Sequence, residues 1–245
     1  MEIEPATNEW GQPTGWLVEG WEPRPAPVAV TIRGRYCRLE PLDLAHHAND
    51  LYAAYSVDDG RMWTYLPYGP FESPEDYQDR MGVLASDRSM VLFAVVDAAS
   101  ELASGVAAYQ RAAPQHGSVE VGHVAYGPRL QRTVAATEAM ALMMGHVFNA
   151  LGYRRYEWKC DALNLPSRQA AKRLGFTYEG TFRQAVVVRG RNRDTAWFSV
   201  TDGEWRRLEP AFATWLSPTN FDALGQQRQS LSDLTAVALG SRPKR

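Results

Sequence analysis

Cysteine is scarce in this sequence of 245 residues, which contains only Cys37 and Cys160. Two cysteines are too few for a disulfide framework, so reduced thiols are the simpler expectation. Long apolar runs are also missing, and none approaches the length of a membrane span. The first residues lack a positively charged region followed by an apolar core, which argues against a signal peptide. These absences predict a cytoplasmic protein without membrane contact.

A strong net charge is missing as well, because 26 basic and 28 acidic residues give a formal net charge of −2. No bulk basic field would therefore attract nucleic acid or an anionic membrane. Hydrophobic residues make up 45% and charged residues 22%, which is typical of a globular protein. The spacing of His46, His47 and His116 is not that of a metal site, so no metal is expected.

The chain divides into three regions by composition and pattern. Residues 1–30 are rich in Pro, Gly and Trp and show no helical or strand period, which predicts an extended arm. Residues 31–207 carry regular patterns, and 208–245 form a C-terminal extension with one or two short helices. Because disordered segments are poor in aromatics, we expect the arm to pack on the domain surface or against a partner subunit through Trp10, Trp16 and Trp21.

The central region alternates strands and helices in an order that requires both kinds of strand pairing. Apolar residues at helical spacing predict a helix in LDLAHHANDLYAAYSV (42–57), and Ser73 followed by Pro74 predicts the start of another. A strand–helix–strand–helix order in the middle demands a local parallel pairing, whereas hairpins flank it. The prediction is an α+β fold with a mixed, mostly antiparallel sheet flanked by helices.

The stretch LQRTVAATEAM (130–140) begins a helix that is predicted to run to Leu151 and to end at Gly152. The N-terminus of a helix offers unpaired N–H groups and partial positive charge, which suits a phosphate. A phosphate-binding turn usually contains glycine, and this stretch has none. From these residues alone, a nucleotide-binding turn and an ordinary helix start capped by Thr133 or Thr137 both stay open.

Four segments form an ordered set: VEVGHVAY (119–126), LQRTVAATEA (130–139), NLPSRQAAKRLGF (164–176) with YEGTFR, and RGRNRDTAWFSV (189–200). Together they resemble the GNAT superfamily of acyl-CoA-dependent N-acyltransferases, most closely the branch with the ribosomal-protein alanine N-acetyltransferases. They resemble, in turn, the fourth strand, the pyrophosphate loop Gln/Arg-x-x-Gly-x-Gly/Ala, the Asn-x-x-Ser signature of the branch, and the closing strand. The resemblance is strong over 119–200 and weaker over 31–118.

The resemblance implies a GNAT-like sheet whose central strands splay apart to admit acetyl-CoA as acyl donor, with no metal. Val134 then stands where the family has glycine, and Ala136 fits the Gly/Ala position. Valine is tolerable if its φ stays negative, because any residue except proline supplies the N–H group. The expected cradle, with added side-chain contacts from Arg132 and Thr133, comprises Gln131, Arg132, Thr133, Val134, Ala135 and Ala136.

Amine acetylation requires an acceptor for the proton of the amine, stabilisation of an oxyanion, and protonation of the leaving thiolate. By resemblance, Glu120 is the candidate general base and Ser167 the candidate general acid. Asn164 would cap its helix and contact the pantetheine arm, as part of a donor site that includes Ser167. Backbone N–H groups near Val124 to Tyr126 would meet the oxyanion. Two alternatives stay open: a strand carboxylate at Glu120 that points to solvent or into a salt bridge, and a simple capping serine at Ser167.

The acceptor is expected beside a loop with Tyr65, Tyr68 and Phe71, and a loop that packs into the core stays open as the alternative. His123 at the edge of the cleft could relay a proton. Such an aromatic wall favours transfer of an acetyl group to a primary amine of a small molecule, by direct attack in a ternary complex. One alternative is acetylation of a protein N-terminus or lysine. Another is an acyl-CoA-binding module without catalysis. A homodimer is a possible assembly.

Overall fold

The computed structural model of the protein describes residues 5–240. Its strands are β1 (Ala6–Thr7), β2 (Pro13–Thr14), β3 (Ile32–Arg33), β4 (Cys37–Pro41), β5 (Val91–Asp97), β6 (Ala103–Ala113), β7 (Ser118–Tyr126), β8 (Arg155–Asp161), β9 (Thr177–Val188) and β10 (Arg191–Thr201). Its α-helices are α1 (Leu44–Tyr55), α2 (Pro74–Ala85), α3 (Val134–Gly145), α4 (Leu165–Arg173), α5 (Asp202–Leu216) and α6 (Leu231–Ala238).

One mixed sheet of eight strands organises the fold, in the order β3-β4-β5-β6-β7-β8-β10-β9. All its pairings are antiparallel except that of β7 with β8. The apolar residues of α1 and α2 form one cluster against β5 and β6, and those of α3, α4 and α5 form a second, larger cluster. The structure therefore confirms the predicted α+β fold with helices on both faces of the sheet.

The parallel pair β7–β8 separates partway along its length. The paired residues run from Ser118 with Arg155 to Val121 with Trp158, and the register stops there. Beyond Val121, β7 continues to Tyr126 and pairs only with β6. The central strands therefore splay as predicted, and the gap between them opens onto one continuous cleft.

The helix starts follow the local sequence closely. Ser73 accepts a hydrogen bond from the Asp76 N–H at the start of α2, and Asn164 does the same for Ser167 in α4. These caps satisfy donors that the first turn of a helix leaves free. None of the helices within residues 5–240 is both long and apolar enough to span a bilayer.

Helix α3 is more deeply enclosed than a helix with one apolar face. The predicted inward residues such as Met140 and Met143 are buried, but so are Thr137 and Glu138. The carboxylate of Glu138 accepts hydrogen bonds from three backbone N–H groups of the turn between β3 and β4, at 2.6–2.9 Å. After α3 the chain makes one π-helical turn, and Gly152 takes a φ of 66°, which confirms it as the end of the helix.

The C-terminal region is more regular than its sequence indicated. A capping box between Thr201 and Glu204 starts α5 directly after β10, and its fifteen residues run through Pro210. The predicted boundary at 207/208 lies inside this helix. Its inward residues Leu208, Phe212 and Trp215 belong to the larger core cluster, so the extension packs as part of the same body.

The N-terminal arm packs on the domain through only one of its tryptophans. Trp21 donates its Nε1–H to the Gln115 carbonyl at 3.0 Å, and the Arg24 guanidinium lies 4.7 Å from its ring centroid. Trp10 and Trp16 are 75% and 48% exposed. The expectation of surface packing is confirmed for Trp21. The residues of β1 and β2 are exposed, so for this hairpin packing against a partner subunit stays a prediction.

Candidate active site

A cleft of about 1590 Å³ follows the gap between β7 and β8. It exceeds the roughly 300–1,000 Å³ of a site for one small ligand, so it has room for two molecules or one long one. Its lining residues come from β7 and β8, from the loop before α2, from β9 and β10, from α3 and α4, and from residues 215–229, here called the C-terminal segment. Residues predicted for the site that line this cleft are Glu120, His123, Val124, Tyr126, Gln131, Arg132, Val134, Ala136, Asn164 and Ser167.

The turn into α3 presents free backbone donors to this cleft. Within residues 5–240, nothing accepts a hydrogen bond from the backbone N–H of Arg132, Val134 or Ala135. The N–H of Ala136 is satisfied by the Thr133 hydroxyl at 3.1 Å. Three free N–H groups at the positive end of a helix dipole make a site for an anion.

The absence of glycine from this turn is explained by where the backbone bends. Arg132, and not Val134, takes the left-handed conformation, with a φ of 62°. Val134 has a negative φ and is the first residue of α3, where a β-branched side chain causes no strain. Valine can therefore occupy the position where the family has glycine, because its φ is negative.

Side chains of the turn act mainly on the turn itself. Thr133 caps α3 and also donates its hydroxyl to the Leu130 carbonyl at 2.7 Å. The Gln131 amide donates to the Tyr126 carbonyl at 2.7 Å. Thr133 therefore performs the capping role that the sequence left open, alongside the free N–H groups of Val134 and Ala135. The Arg132 side chain is exposed.

Glu120 is buried in the floor of the cleft and is surrounded by donors. Its carboxylate accepts from Gln110 Nε2 at 2.6 Å, from Arg111 Nη1 at 2.8 and 2.9 Å, and from Lys159 Nζ at 2.8 Å. Of the alternatives to a catalytic base, a carboxylate that points to solvent is excluded because only 2% of Glu120 is exposed, whereas a carboxylate held in salt bridges is what the structure shows. With both oxygens engaged by two cations and an amide, Glu120 stabilises positive charge in the cleft.

The cations around Glu120 were not predicted, and they extend across the sheet. Lys159 Nζ also contacts the Glu157 carboxylate at 2.8 Å and lies 3.7 Å from the ring centroid of Trp197. Arg111 reaches the cleft from a bulge in the pairing of β6 with β7. Sequence gave no signal for either contact, because both depend on strand register.

Ser167 lies where β8 and α4 meet the cleft. Its hydroxyl oxygen accepts a hydrogen bond from Trp158 Nε1 at 3.0 Å, and its backbone N–H is capped by Asn164. The cap of α4 is thus Asn164 and not Ser167, and the Ser167 hydroxyl lies within hydrogen-bonding reach of the Cys160 thiol. Burial raises the pKa of the neighbouring Cys160 thiol, which holds it protonated.

His123 is the second titratable group on β7 that faces the cleft. Its backbone is left-handed, with a φ of 50°, at the point where β7 leaves β8. Its ring stacks on Tyr68, with centroids 5.7 Å apart, and Nδ1 lies 3.3 Å from the Tyr68 hydroxyl. Burial lowers the pKa of His123 below its usual value, while Glu120 opposes the shift. The imidazole is therefore neutral at neutral pH.

Strained backbone is concentrated around this cleft. Six non-glycine residues among those described have positive φ, and three of them, Arg111, His123 and Arg132, line the cleft. Such conformations cost roughly 1–3 kcal/mol each and persist where the surrounding structure enforces them, as at binding and catalytic sites. Arginine is not a residue type that favours this region, so no sequence signal marks Arg111 or Arg132, whereas histidine is one of the types enriched there.

A separate group forms near the start of α1, where Glu40, His46 and His47 bring ligand-type atoms within 4.8 Å of one another. The spacing of the histidines gave no sign of this group, since Glu40 comes from β4. Both ring nitrogens of His47 are engaged, by the Asp43 N–H at 3.1 Å and by Glu40 at 3.0 Å. Glu40 is also paired with Arg38. The group is a hydrogen-bonded network at the helix start.

The cleft fits the shape and charge of an acyl-CoA. The free N–H groups of Arg132, Val134 and Ala135 suit a diphosphate, and the gap between β7 and β8 suits a narrow arm that carries the thioester. Asn164 and Ser167 stand on the wall opposite Val124 and line the same gap.

Comparison with known proteins agrees with this geometry. Residues 37–177 match the acetyltransferase (GNAT) domain family. A GCN5-related N-acetyltransferase from Brucella melitensis has a solved structure with 45% sequence identity and a TM-score of 0.87, covering 89% of this chain and 99% of that one. A GNAT-family acetyltransferase from Chromobacterium violaceum is 40% identical with a TM-score of 0.74, covering 80% of this chain and 98% of that one.

The N-acetyltransferase YnaD of Bacillus subtilis (strain 168), itself uncharacterized, is 24% identical over 157 residues, which are 64% of this chain and 90% of YnaD. The matched family segment, 37–177, spans more than half of the present chain and contains the splayed strands, the turn into α3 and helix α4. The chain belongs to the GNAT family and is an acetyl-CoA-dependent N-acetyltransferase.

Proposed function

We propose that the enzyme acetylates a primary amine of a small molecule, by direct attack of the amine on the thioester in a ternary complex. The observation that carries this proposal is a pair of hydrogen bonds that join the loop before α2 to the walls of the cleft, at what we call its acceptor end. Arg189, at the tip of the β9–β10 hairpin, donates to the Gly69 carbonyl at 2.5 Å. Tyr65 donates its hydroxyl to the Leu163 carbonyl at 3.3 Å.

These two hydrogen bonds tie the loop before α2 to the opposite walls of the cleft. The lining of the cleft includes the aromatic and apolar side chains Met62, Tyr65, Leu66, Phe182, Val186 and Trp197. Of the predicted aromatic wall only Tyr65 is part of this lining, whereas Tyr68 and Phe71 pack against the core cluster of α1 and α2. A bridged, largely aromatic pocket suits a compact acceptor, whereas an extended polypeptide needs an open groove. This supports a small amine over a protein N-terminus or lysine.

For the acyl donor, the proposal assigns the diphosphate to the N–H groups of Arg132, Val134 and Ala135. Gln131, Thr133 and Ala136 maintain the turn, as their hydrogen bonds indicate. The thioester would lie in the gap between β7 and β8, near the backbone from Val124 to Tyr126 and beside Asn164. Beyond Val121, β7 is paired with β6 and not with β8, and backbone N–H groups on its β8 side would stabilise the developing negative charge on the carbonyl oxygen.

The reaction needs an acceptor for the proton of the amine, and His123 and Glu120 are the two candidates. Both oxygens of Glu120 are engaged by Gln110, Arg111 and Lys159, whereas His123 Nε2 has no partner within residues 5–240. In the tautomer that donates Nδ1–H to Tyr68, Nε2 keeps its lone pair for the amine. We assign proton acceptance to His123 and stabilisation of the resulting imidazolium to Glu120, with Glu120 as the alternative base.

Departure of the thiolate completes the chemistry. As the nitrogen–carbon bond forms and the carbon–sulfur bond breaks, the sulfur takes up negative charge and requires a proton. The Ser167 hydroxyl accepts from Trp158 and so keeps its own proton available for this sulfur. The proton from the amine, held on His123, then returns to solvent, and the Ser167 oxygen regains a proton from solvent, which restores both groups for the next turnover.

Direct transfer, without an acyl-enzyme, is supported by the protonation of the two thiols. Burial raises the pKa of both Cys37 and Cys160, and a protonated thiol is a poor nucleophile. An acyl-enzyme on cysteine would need a thiolate.

The test is a steady-state study with two acceptor panels, one of small primary amines and one of short peptides with free N-termini or internal lysines. The proposal expects turnover with members of the amine panel and intersecting initial-velocity patterns. Turnover confined to peptides would refute the small acceptor. Parallel patterns, together with acetyl-protein seen by mass spectrometry, would refute direct attack.

A further inference from the structure

The C-terminal segment, which lies outside the matched family segment, forms one wall of the cleft. Trp215, Phe221, Gly225 and Gln227 line it together with residues of α3 and α4. Val134 and Ala136, at the start of α3, belong to the same lining. The segment therefore has a position from which it can bind the donor.

This wall is held in a defined arrangement. Trp215 donates Nε1–H to Gln227 at 2.8 Å and packs edge to face with Phe221, at a centroid distance of 5.3 Å. The buried Asn220 amide donates to the carbonyls of Trp215 and Gln229, both at 3.1 Å. A tryptophan fixed at its polar end and at its edge is a rigid platform.

The guanidinium of Arg173 packs on the Trp215 ring, and no carboxylate of the described chain neutralises it. The guanidinium of Arg173, in the last turn of α4, lies 4.9 Å from the Trp215 ring centroid. Its Nη1 donates to the Thr137 hydroxyl at 3.1 Å, and within residues 5–240 no carboxylate pairs with it. Burial lowers the pKa of Arg173, as expected for a charge withdrawn from water. A half-buried, unpaired guanidinium is costly, and an anionic ligand would offset that cost.

Arg173 is hydrogen-bonded to the first part of α3, close to the turn that would bind the diphosphate. Its partner Thr137 lies three residues after Val134 on the same helix, which is about 4.5 Å along the axis at the helical rise per residue. In coenzyme A, the ribose that follows the diphosphate carries a further phosphate at its 3′ position. A diphosphate on the N–H groups of Val134 and Ala135 would bring this dianion to the same end of the cleft.

We propose that Arg173 binds the ribose 3′-phosphate of the acyl donor, and that the C-terminal segment, through Trp215, holds Arg173 in place for this contact. The inference rests on the proposed placement of the diphosphate. A planar guanidinium stacked on an aromatic ring keeps its N–H edges free for two hydrogen bonds to phosphate oxygens.

The test is calorimetric titration of the full chain with coenzyme A and, separately, with 3′-dephospho-coenzyme A. The wild-type protein is expected to bind coenzyme A more tightly by about tenfold or more, the range of a charged hydrogen-bonded pair. Arg173→Gln should lose most of this difference, through weaker binding of coenzyme A and unchanged binding of the dephospho form. Lys172→Gln, which removes the neighbouring exposed charge, should keep the difference.

Equal affinity of the wild-type protein for the two ligands would overturn the assignment of Arg173, and this comparison needs no variant. An equal loss of affinity for both ligands in Arg173→Gln would also overturn it. If Arg173→Gln does not fold, Arg173→Lys is expected to lose part of the preference for coenzyme A, and an unchanged preference would contradict the proposal. Binding of neither ligand to the wild-type protein would refute the placement of the diphosphate, and with it this inference.

Discussion

The Thr133 hydroxyl accepts a hydrogen bond from the Ala136 N–H at 3.1 Å and so closes the first turn of α3. In the described chain the N–H groups of Val134, which lines the cleft, and of Ala135, the next residue, have no hydrogen-bond partner. A threonine cap and a left-handed Arg132 together produce a turn that needs no glycine. Capping and anion binding, which look like competing interpretations of this sequence, use different N–H groups of one turn.

The pH dependence of turnover distinguishes the two candidate bases. Because burial lowers the pKa of His123 from 6.5, kcat at saturating acceptor should be level near neutral pH and fall as the pH drops through a value below 6.5. His123→Asn should remove this limb and reduce kcat by about 10²–10⁴-fold, the usual contribution of a general base. The measurement is a pH profile of kcat for the wild type and the variant.

Glu120→Gln serves as the comparison in the same experiment. Since the Glu120 carboxylate raises the pKa of His123, its removal should shift the limb to lower pH and leave it in place. A His123→Asn enzyme with a normal rate and an intact limb, combined with an inactive Glu120→Gln enzyme, would establish Glu120 as the base instead.

The hydrogen bond between the β9–β10 hairpin and the loop before α2 predicts a selective effect on the KM for the amine acceptor. Arg189→Gln removes the donor to the Gly69 carbonyl, a contact worth about 0.5–1.5 kcal/mol. The expected result is a KM for the amine that rises by roughly two- to tenfold, in line with that energy, while the KM for acetyl-CoA is unchanged. Arg191→Gln, an exposed change on the same hairpin, is the matched control. Equal changes in both variants would mean that the bridge does not shape the acceptor pocket.

Glu138 predicts a stability effect that is separate from catalysis. Its carboxylate accepts from the backbone N–H groups of Arg35, Tyr36 and Cys37 in a buried position. Glu138→Gln should lower the free energy of unfolding by about 1–3 kcal/mol, because an amide cannot accept from all three donors and one is left unsatisfied. Urea denaturation measures the change, with the exposed Glu9→Gln as control. A midpoint equal to that of the control would show that solvent satisfies these donors.

Local signals made much of the fold predictable. The caps at Ser73 and Asn164 and the helix end at Gly152 follow from side-chain chemistry and from the freedom of glycine at positive φ. The order of strands and helices fixed the single parallel pair. In contrast, α5 was underestimated, because its length comes from packing of Trp205 and Phe212 against the core and not from strong local propensity.

Site residues were predictable from the sequence only where they belong to a motif of the family. Val134, Asn164 and Ser167 were located from the spacing of the resemblance, and all three line the cleft. The ion pairs of Glu120 with Arg111 and Lys159 depend on register across three strands, and the contact of Arg173 with Trp215 joins helices far apart in sequence. No local pattern encodes such contacts, since they appear only when the sheet and the C-terminal helices are assembled.

The central claim is that backbone N–H groups of this glycine-free turn bind the diphosphate of acetyl-CoA. Val134→Pro removes one of these groups and is compatible with the fold, because proline is tolerated at the first helical position and Thr133 already has the extended conformation that precedes proline, at φ −93° and ψ 168°. Val134→Ala keeps the N–H group and is the control.

The decisive measurement is the Kd for acetyl-CoA of the two variants by calorimetry, with thermal unfolding to verify the fold. The account predicts a Kd that is higher by about tenfold or more in Val134→Pro than in Val134→Ala, as expected for loss of a charge-assisted hydrogen bond. Equal Kd values in two folded variants would contradict the claim and would leave the turn as a helix start capped by Thr133.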